Sequence, residues 1–163
     1  MVTSIKEPKA ATGAGKGLRL SLWIVQVILA AWFGMAGVLH AAVPIAQLAP
    51  FAPWTADVSP ALVRFIGVAE LAGALGVVLP ALTRILPMLT PLAAAGLALI
   101  MALAIPFHVS RGEPQVIPML VVFAILGAFV AWGRSRRVPI QSREGKSAHP
   151  KAANTALSSS RGL

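Results

Sequence analysis

The chain has no cysteine among its 163 residues, which excludes structural disulfides, thiolate-bound metals and CxxC dithiol chemistry. Any redox role therefore has to run through a bound cofactor or a partner protein. Charge is scarce too: Asp, Glu, Lys and Arg make up 12% of the residues against 57% hydrophobic, and the mean hydropathy is +0.80. A soluble domain of this size is about one quarter charged, so this composition is that of a membrane protein. There is no nucleophile motif and no phosphate-binding loop, which weighs against an enzyme acting alone. At about 20 residues per span the length suits one compact bundle and no second domain.

What is present is four long apolar runs. They cover about Leu20 to Val43, Pro60 to near Pro80, about Met88 to Phe107 and about Val116 to Trp132. Pro44 stops the first, and Ser59 followed by Pro60 is a cap-and-first-turn signature for the second. Pro91, Pro106 and Pro118 are the prolines expected inside spans, where neighbouring helices re-satisfy the freed carbonyls. The first run is too long for a secretory h-region of about 7 to 15 residues, and three more runs follow it. The expected fold is all-α: an integral membrane four-helix bundle over residues 20–133 with short loops. Residues 1–19 and 134–163, poor in apolar content, are expected to be basic disordered tails.

The basic residues orient this bundle. Lys6, Lys9, Lys16 and Arg19 precede the first run, and Arg134, Arg136, Arg137, Arg143, Lys146, Lys151 and Arg161 follow the last, so eleven of the fourteen lie in the tails. The long first loop carries Asp57 and no Lys or Arg. Both termini are therefore expected in the cytoplasm, with an even number of spans between them. The net charge of +9 is explained by anionic headgroups, and no nucleic-acid partner is expected.

Few polar residues fall inside the runs. Glu70 is the most informative, because a charged side chain at membrane depth costs a few kcal/mol and needs a partner or a chemical role. In the topology above His40, Arg64, Glu70 and His108 all lie in the outer half, and they are the candidate ligand-binding residues. Six residues separate Arg64 from Glu70, about 9 Å of rise, and they do not share a helix face. A neighbouring helix should instead bring His40 or His108 to Glu70. Gly67 and Gly73 flank Glu70 and are the candidate packing positions, where missing side chains let another helix approach closely. The alternative is that Glu70 only sets helix register and that the histidines are interfacial. Arg64 at the outer lip reads as a snorkelling side chain or an anion holder, and Trp23, Trp54 and Trp132 as interfacial anchors. No HxxxH or ExxH spacing supports a metal site. The inner half offers only Gln26, which weighs against a transport path.

The stretch from Ser59 to Met101, SPALVRFIGVAELAGALGVVLPALTRILPMLTPLAAAGLALIM, resembles the DoxX-like family of small four-helix bacterial membrane proteins. The resemblance rests on Gly67, Glu70 and Gly73 closed by Leu79 and Pro80, with FGMAGVLH before them and His108 after. Many members carry Lys at the end of the first helix where this chain has His40, so a role needing a permanent positive charge there does not carry over. The resemblance implies a bundle in the bacterial inner membrane, and some relatives are membrane subunits in quinone-linked sulfur oxidation or oxidative-stress complexes. The expected function is accordingly a non-catalytic membrane subunit of a redox system, with a quinone as possible cofactor, a redox protein as possible partner, and an apolar pocket framed by His40, Arg64, Glu70 and His108. The alternatives are a membrane assembly module and, ranked last, a small transporter.

Overall fold

A computed structural model describes residues 13–143. The elements are α1 (Gly13–Ala42), a single short turn α2 (Ile45–Leu48), α3 (Pro60–Thr83), α4 (Leu89–Ser110) and α5 (Ile117–Trp132). A 3₁₀ turn, Pro114–Val116, leads into α5, and a wider π-helical turn, Gly133–Arg137, continues it. Four helical segments are long and apolar enough to cross a membrane, and the fold is the all-α four-helix bundle that the hydropathy implied.

The boundaries follow local chemistry. Pro44, with no N–H to offer, follows the end of α1. Ser59 caps α3, its hydroxyl accepting from the Leu62 N–H at 3.3 Å. Three expectations are corrected. Residues 13–19 are helical, the first turns of α1, rather than tail. The last helix continues through Arg137, so residues 134–137 are not tail either. And α3 runs through Pro80 to Thr83, because the Pro80 carbonyl still accepts from the Arg84 N–H at 3.0 Å and only one ladder bond is lost. Residues 1–12 and 144–163, the rest of the expected tails, lie outside the described residues. Arg84 ends α3 in the left-handed region at φ 61°, and Leu86 follows at φ 47°. Neither position is a glycine, so the tight link to α4 is held against a steric cost of about 1–2 kcal/mol per residue.

The helices form a ring in chain order. α1 packs along α3 and α4 along α5, α3 against α4 joins the two pairs, and α1 against α5 closes the ring. Both described chain ends therefore lie at one end of the bundle, the terminal end, and the loop carrying α2 lies at the far end with the α4–α5 connection. The core is Leu22, Leu29, Phe33, Val77, Ala94, Leu97 and Val130 among others, while Ile24, Phe65, Leu92 and Leu103 point outward and are more than half exposed. A large apolar outer surface of this kind is what lipid solvates.

Lipid gives little apolar incentive for helices to associate, so close packing must carry the bundle. At Gly37 a methyl group would lie 2.9 Å from the Gly67 carbonyl oxygen, and at Gly67 it would run into the Ala41 backbone nitrogen. These two glycines let α1 and α3 meet backbone to backbone. Gly73 serves a different neighbour: its empty position is filled by the Leu97 side chain of α4. Gly67→Ala should therefore destabilise the bundle by about 1–3 kcal/mol, the usual cost of overpacking. Gly96→Ala, whose added methyl meets nothing within 4 Å, should leave stability unchanged or slightly raised. Thermal unfolding of the two variants in one detergent checks the contrast.

Candidate functional site

The close approach of α1 and α3 puts His40, in the last turn of α1, over Glu70, in the middle of α3. His40 Nδ1 lies 2.7 Å from Glu70 Oε2, and Glu70 is 4% exposed. The partner that a carboxylate at this depth requires is thus the first helix. Arg64 does not reach Glu70. Its Nη1 donates to the His40 carbonyl at 2.6 Å and to the Val43 carbonyl at 2.7 Å, so a cation from α3 caps the open C-terminal carbonyls of α1 and meets the negative end of that helix dipole. Among the described residues no hydrogen bond is made to Nε2 of His40. The ring is held by one nitrogen and leaves the other free.

His108 belongs to a neighbouring cluster. Its Nδ1 is 2.6 Å from Glu113 Oε2, not near Glu70, and Glu113 is also gripped by Arg111 through Nη2 at 2.8 Å and Nε at 3.0 Å. Arg111 Nη1 reaches across to Asp57 in the first loop. Four charged or titratable side chains therefore tie the two far-end loops together. Trp54 sits between the clusters, its ring centroid 5.2 Å from His40 and 6.3 Å from Phe107, which in turn is 5.4 Å from His108. Two histidine–carboxylate pairs thus flank an aromatic bridge. Glu113, as partner of His108, and Trp54, as more than an interfacial anchor, had no sequence signal, because both contacts join residues whose separation only the loop fold sets.

The terminal half of the bundle holds more than Gln26. Arg134, expected in the tail, is 4% exposed and donates from Nε to Gln26 Oε1 at 2.7 Å, while the Gln26 amide nitrogen donates to the Val77 carbonyl. Its guanidinium also lies 5.2 Å from the Trp23 ring centroid. One signal could have found it: Gly127, Val130 and Arg134 follow at three and four residues, the spacing of one helix face. A groove of about 610 Å³ between α4 and α5 and a hollow of about 250 Å³ beside Arg84 and Arg143 lie at this terminal end. Neither is lined by His40, Arg64, Glu70 or His108. Among the described residues no three His, Asp or Glu side chains are placed to share a metal ion.

An apolar four-helix ring with a histidine–carboxylate pair between its first two long helices defines a multi-pass membrane protein of a small bundle type. The particular type is given by the match of residues 24–130 to the model of the DoxX-like family, and the chain belongs to that family. No curated protein and no solved structure shows a significant match.

The pairing at the far end sets an expected response to acid. The Arg111 guanidinium first, and the His108 ring second, hold the Glu113 carboxyl below the usual carboxylate range, while Glu113 and then Asp57 raise Arg111. A carboxylate depressed in the folded chain contributes stability above its unfolded pKa of about 4.3 and loses it as pH falls through the lower folded value. The thermal midpoint of the wild-type protein should therefore fall as pH drops below about 4. Glu113→Gln should show a lower midpoint at neutral pH and a shallower acid limb; parallel acid limbs in the two proteins would contradict this.

Proposed function

We propose that the chain is a non-catalytic inner-membrane component of a quinone-linked or stress-response redox system, both termini cytoplasmic, whose outer end presents a quinone-type headgroup to His40. The observation that carries this reading is the His40 ring, held by buried Glu70 through Nδ1, shielded by Trp54 and unbonded at Nε2. With the Nδ1 proton shared with the carboxylate, Nε2 offers a lone pair to a quinol hydroxyl. Once the imidazole is protonated, Nε2 becomes a donor suited to a quinone carbonyl. Trp54 and Phe107 supply flat apolar surfaces for a ring. Arg64, spent on two carbonyls, holds the end of α1 in place rather than the ligand, and His108 with Glu113 forms the second wall through the aromatic bridge.

The groove between α4 and α5 and the hollow beside Arg84 lie at the other end of the bundle. That fits a subunit whose partner protein completes the site, and the absence of any thiol means that this chain supplies no dithiol of its own. The full chain purified from its native membrane should carry quinone, and Glu70→Gln should retain about tenfold less, the loss expected for one hydrogen bond to a charged group. If deletion leaves quinone-dependent respiration and oxidant tolerance intact while a particular membrane complex falls apart, the assembly-module reading replaces this one.

The orientation is tested separately. Fusion reporters at residues 50 and 112 should be active in the periplasm, and those at residues 1, 84 and 163 in the cytoplasm. A periplasmic reporter active at residue 163 would overturn the assignment.

A further inference from the structure

At the terminal end a permanent cation is buried with no counter-ion among the described residues. Arg134 is 4% exposed, and an arginine cannot shed its proton to escape burial. Its protein partners are neutral: the Gln26 amide oxygen and the Trp23 ring. Among the described residues Arg19 adds a charge of the same sign nearby. Among the described residues the carboxylates are Asp57, Glu70 and Glu113, and all three are engaged at the far end. Arg134 Nη2 is buried with no hydrogen-bond partner.

A second orphan lies at the same end of the bundle. Thr90 is fully buried and its Oγ1 has no partner. The register places it: a methyl group at Gly127 would sit 2.9 Å from the Ala94 carbonyl oxygen, so Thr90, one turn from Ala94 toward the terminal end, stands level with the last turns after Gly127. The π-helical turn that carries Arg134 packs against α4 there.

We propose that Arg134 anchors a binding site for a phosphate-type oxyanion inside the terminal end of the bundle, with Gln26 orienting the guanidinium and Thr90 contributing its hydroxyl. A water molecule would satisfy the free N–H but would leave the charge uncompensated, and unpaired buried charge is among the costliest polar arrangements in a protein. An oxyanion does both, and the planar guanidinium fork suits it in two-point geometry. The position favours phosphate. Arg134 lies two residues beyond Trp132, an interfacial side chain, and beside Arg136 and Arg137, at the depth where headgroup phosphates lie. The phosphate comes either from an anionic phospholipid or from solution. For a lipid, the groove between α4 and α5, with Pro91, Leu92 and Trp132 on its walls and Arg136 on its rim, is the surface for the acyl chains. The site is independent of the far-end cluster.

The test uses the full-length protein. Thermal unfolding is followed in neutral detergent with inorganic phosphate replacing chloride at constant ionic strength, and in nanodiscs of phosphatidylcholine with and without phosphatidylglycerol. Wild type should be stabilised by phosphate in detergent if the ion is free, and only by phosphatidylglycerol if it is a headgroup. Thr90→Val, close in shape, should weaken the response about tenfold, and Arg134→Gln should abolish it. If Arg134→Gln does not assemble, Arg134→Lys, which keeps the charge and loses the fork, should respond about tenfold more weakly than wild type. A wild-type midpoint indifferent to both phosphate and phosphatidylglycerol overturns the proposal. So does a response that first emerges when one of the two carboxylates outside the described residues is neutralised, Glu7→Gln or Glu144→Gln, because the counter-ion would then be the chain's own carboxylate.

Discussion

Where α1 crosses α3, Gly37 and Gly67 carry no side chains to hold the backbones apart, and the polar chemistry of the far end depends on that separation. With a methyl group at either position the helices would part, and the His40 ring, one turn along α1, could no longer hold the Glu70 carboxylate at 2.7 Å. The same approach lets Arg64 reach the His40 and Val43 carbonyls. A helix end in apolar surroundings needs its carbonyls satisfied, so the arginine that caps α1 also locks the histidine-bearing turn in place. Packing without side chains and pairing of charges are thus one arrangement, not two.

The two ends of the bundle handle charge in opposite ways. At the far end each described acidic group has a basic or imidazole neighbour, and the network from Asp57 through Arg111 and Glu113 to His108 joins loops that are distant in sequence. At the terminal end the basic residues accumulate and Arg134 turns inward with only neutral partners. The first pattern stabilises the connections and orients the His40 imidazole beside Trp54 and that of His108 beside Phe107. The second leaves a cation that the described chain does not neutralise. A DoxX-like bundle of this kind therefore has two polar centres separated by the apolar core around Leu29, Phe33, Val77 and Leu97.

Much of the fold was legible from residue order. Span number followed from hydropathy, the Ser59–Pro60 start of α3 from capping chemistry, and the need for a neighbour at Glu70 from its six-residue offset to Arg64. The family resemblance, carried by Gly67, Glu70, Gly73 and the flanking motifs, agrees with the match over residues 24–130. Arg134 lies inside the bundle, although a basic residue after an apolar run ordinarily marks the way out of the membrane. Only the face it shares with Gly127 and Val130 hints that the π turn carries it into the interior beside Gln26. His108 and Glu70 lie toward one end, but the Gly112 turn, at φ 69°, brings Glu113 rather than Glu70 onto the His108 ring.

The sequence by itself determined the solvent, the number of the spans and the need for a partner at Glu70, since these depend on transfer free energies summed along the chain. Tertiary structure decided the partners. Whether His40 or His108 meets Glu70, whether Arg64 binds a ligand or a helix end, and whether Arg134 faces water or the core all turn on rotations of a few tens of degrees about helix axes. Those rotations are set by contacts such as Gly37 on Gly67 and Leu97 in the space at Gly73, which join residues about 25 to 30 positions apart, and hydrophobic periodicity does not encode them.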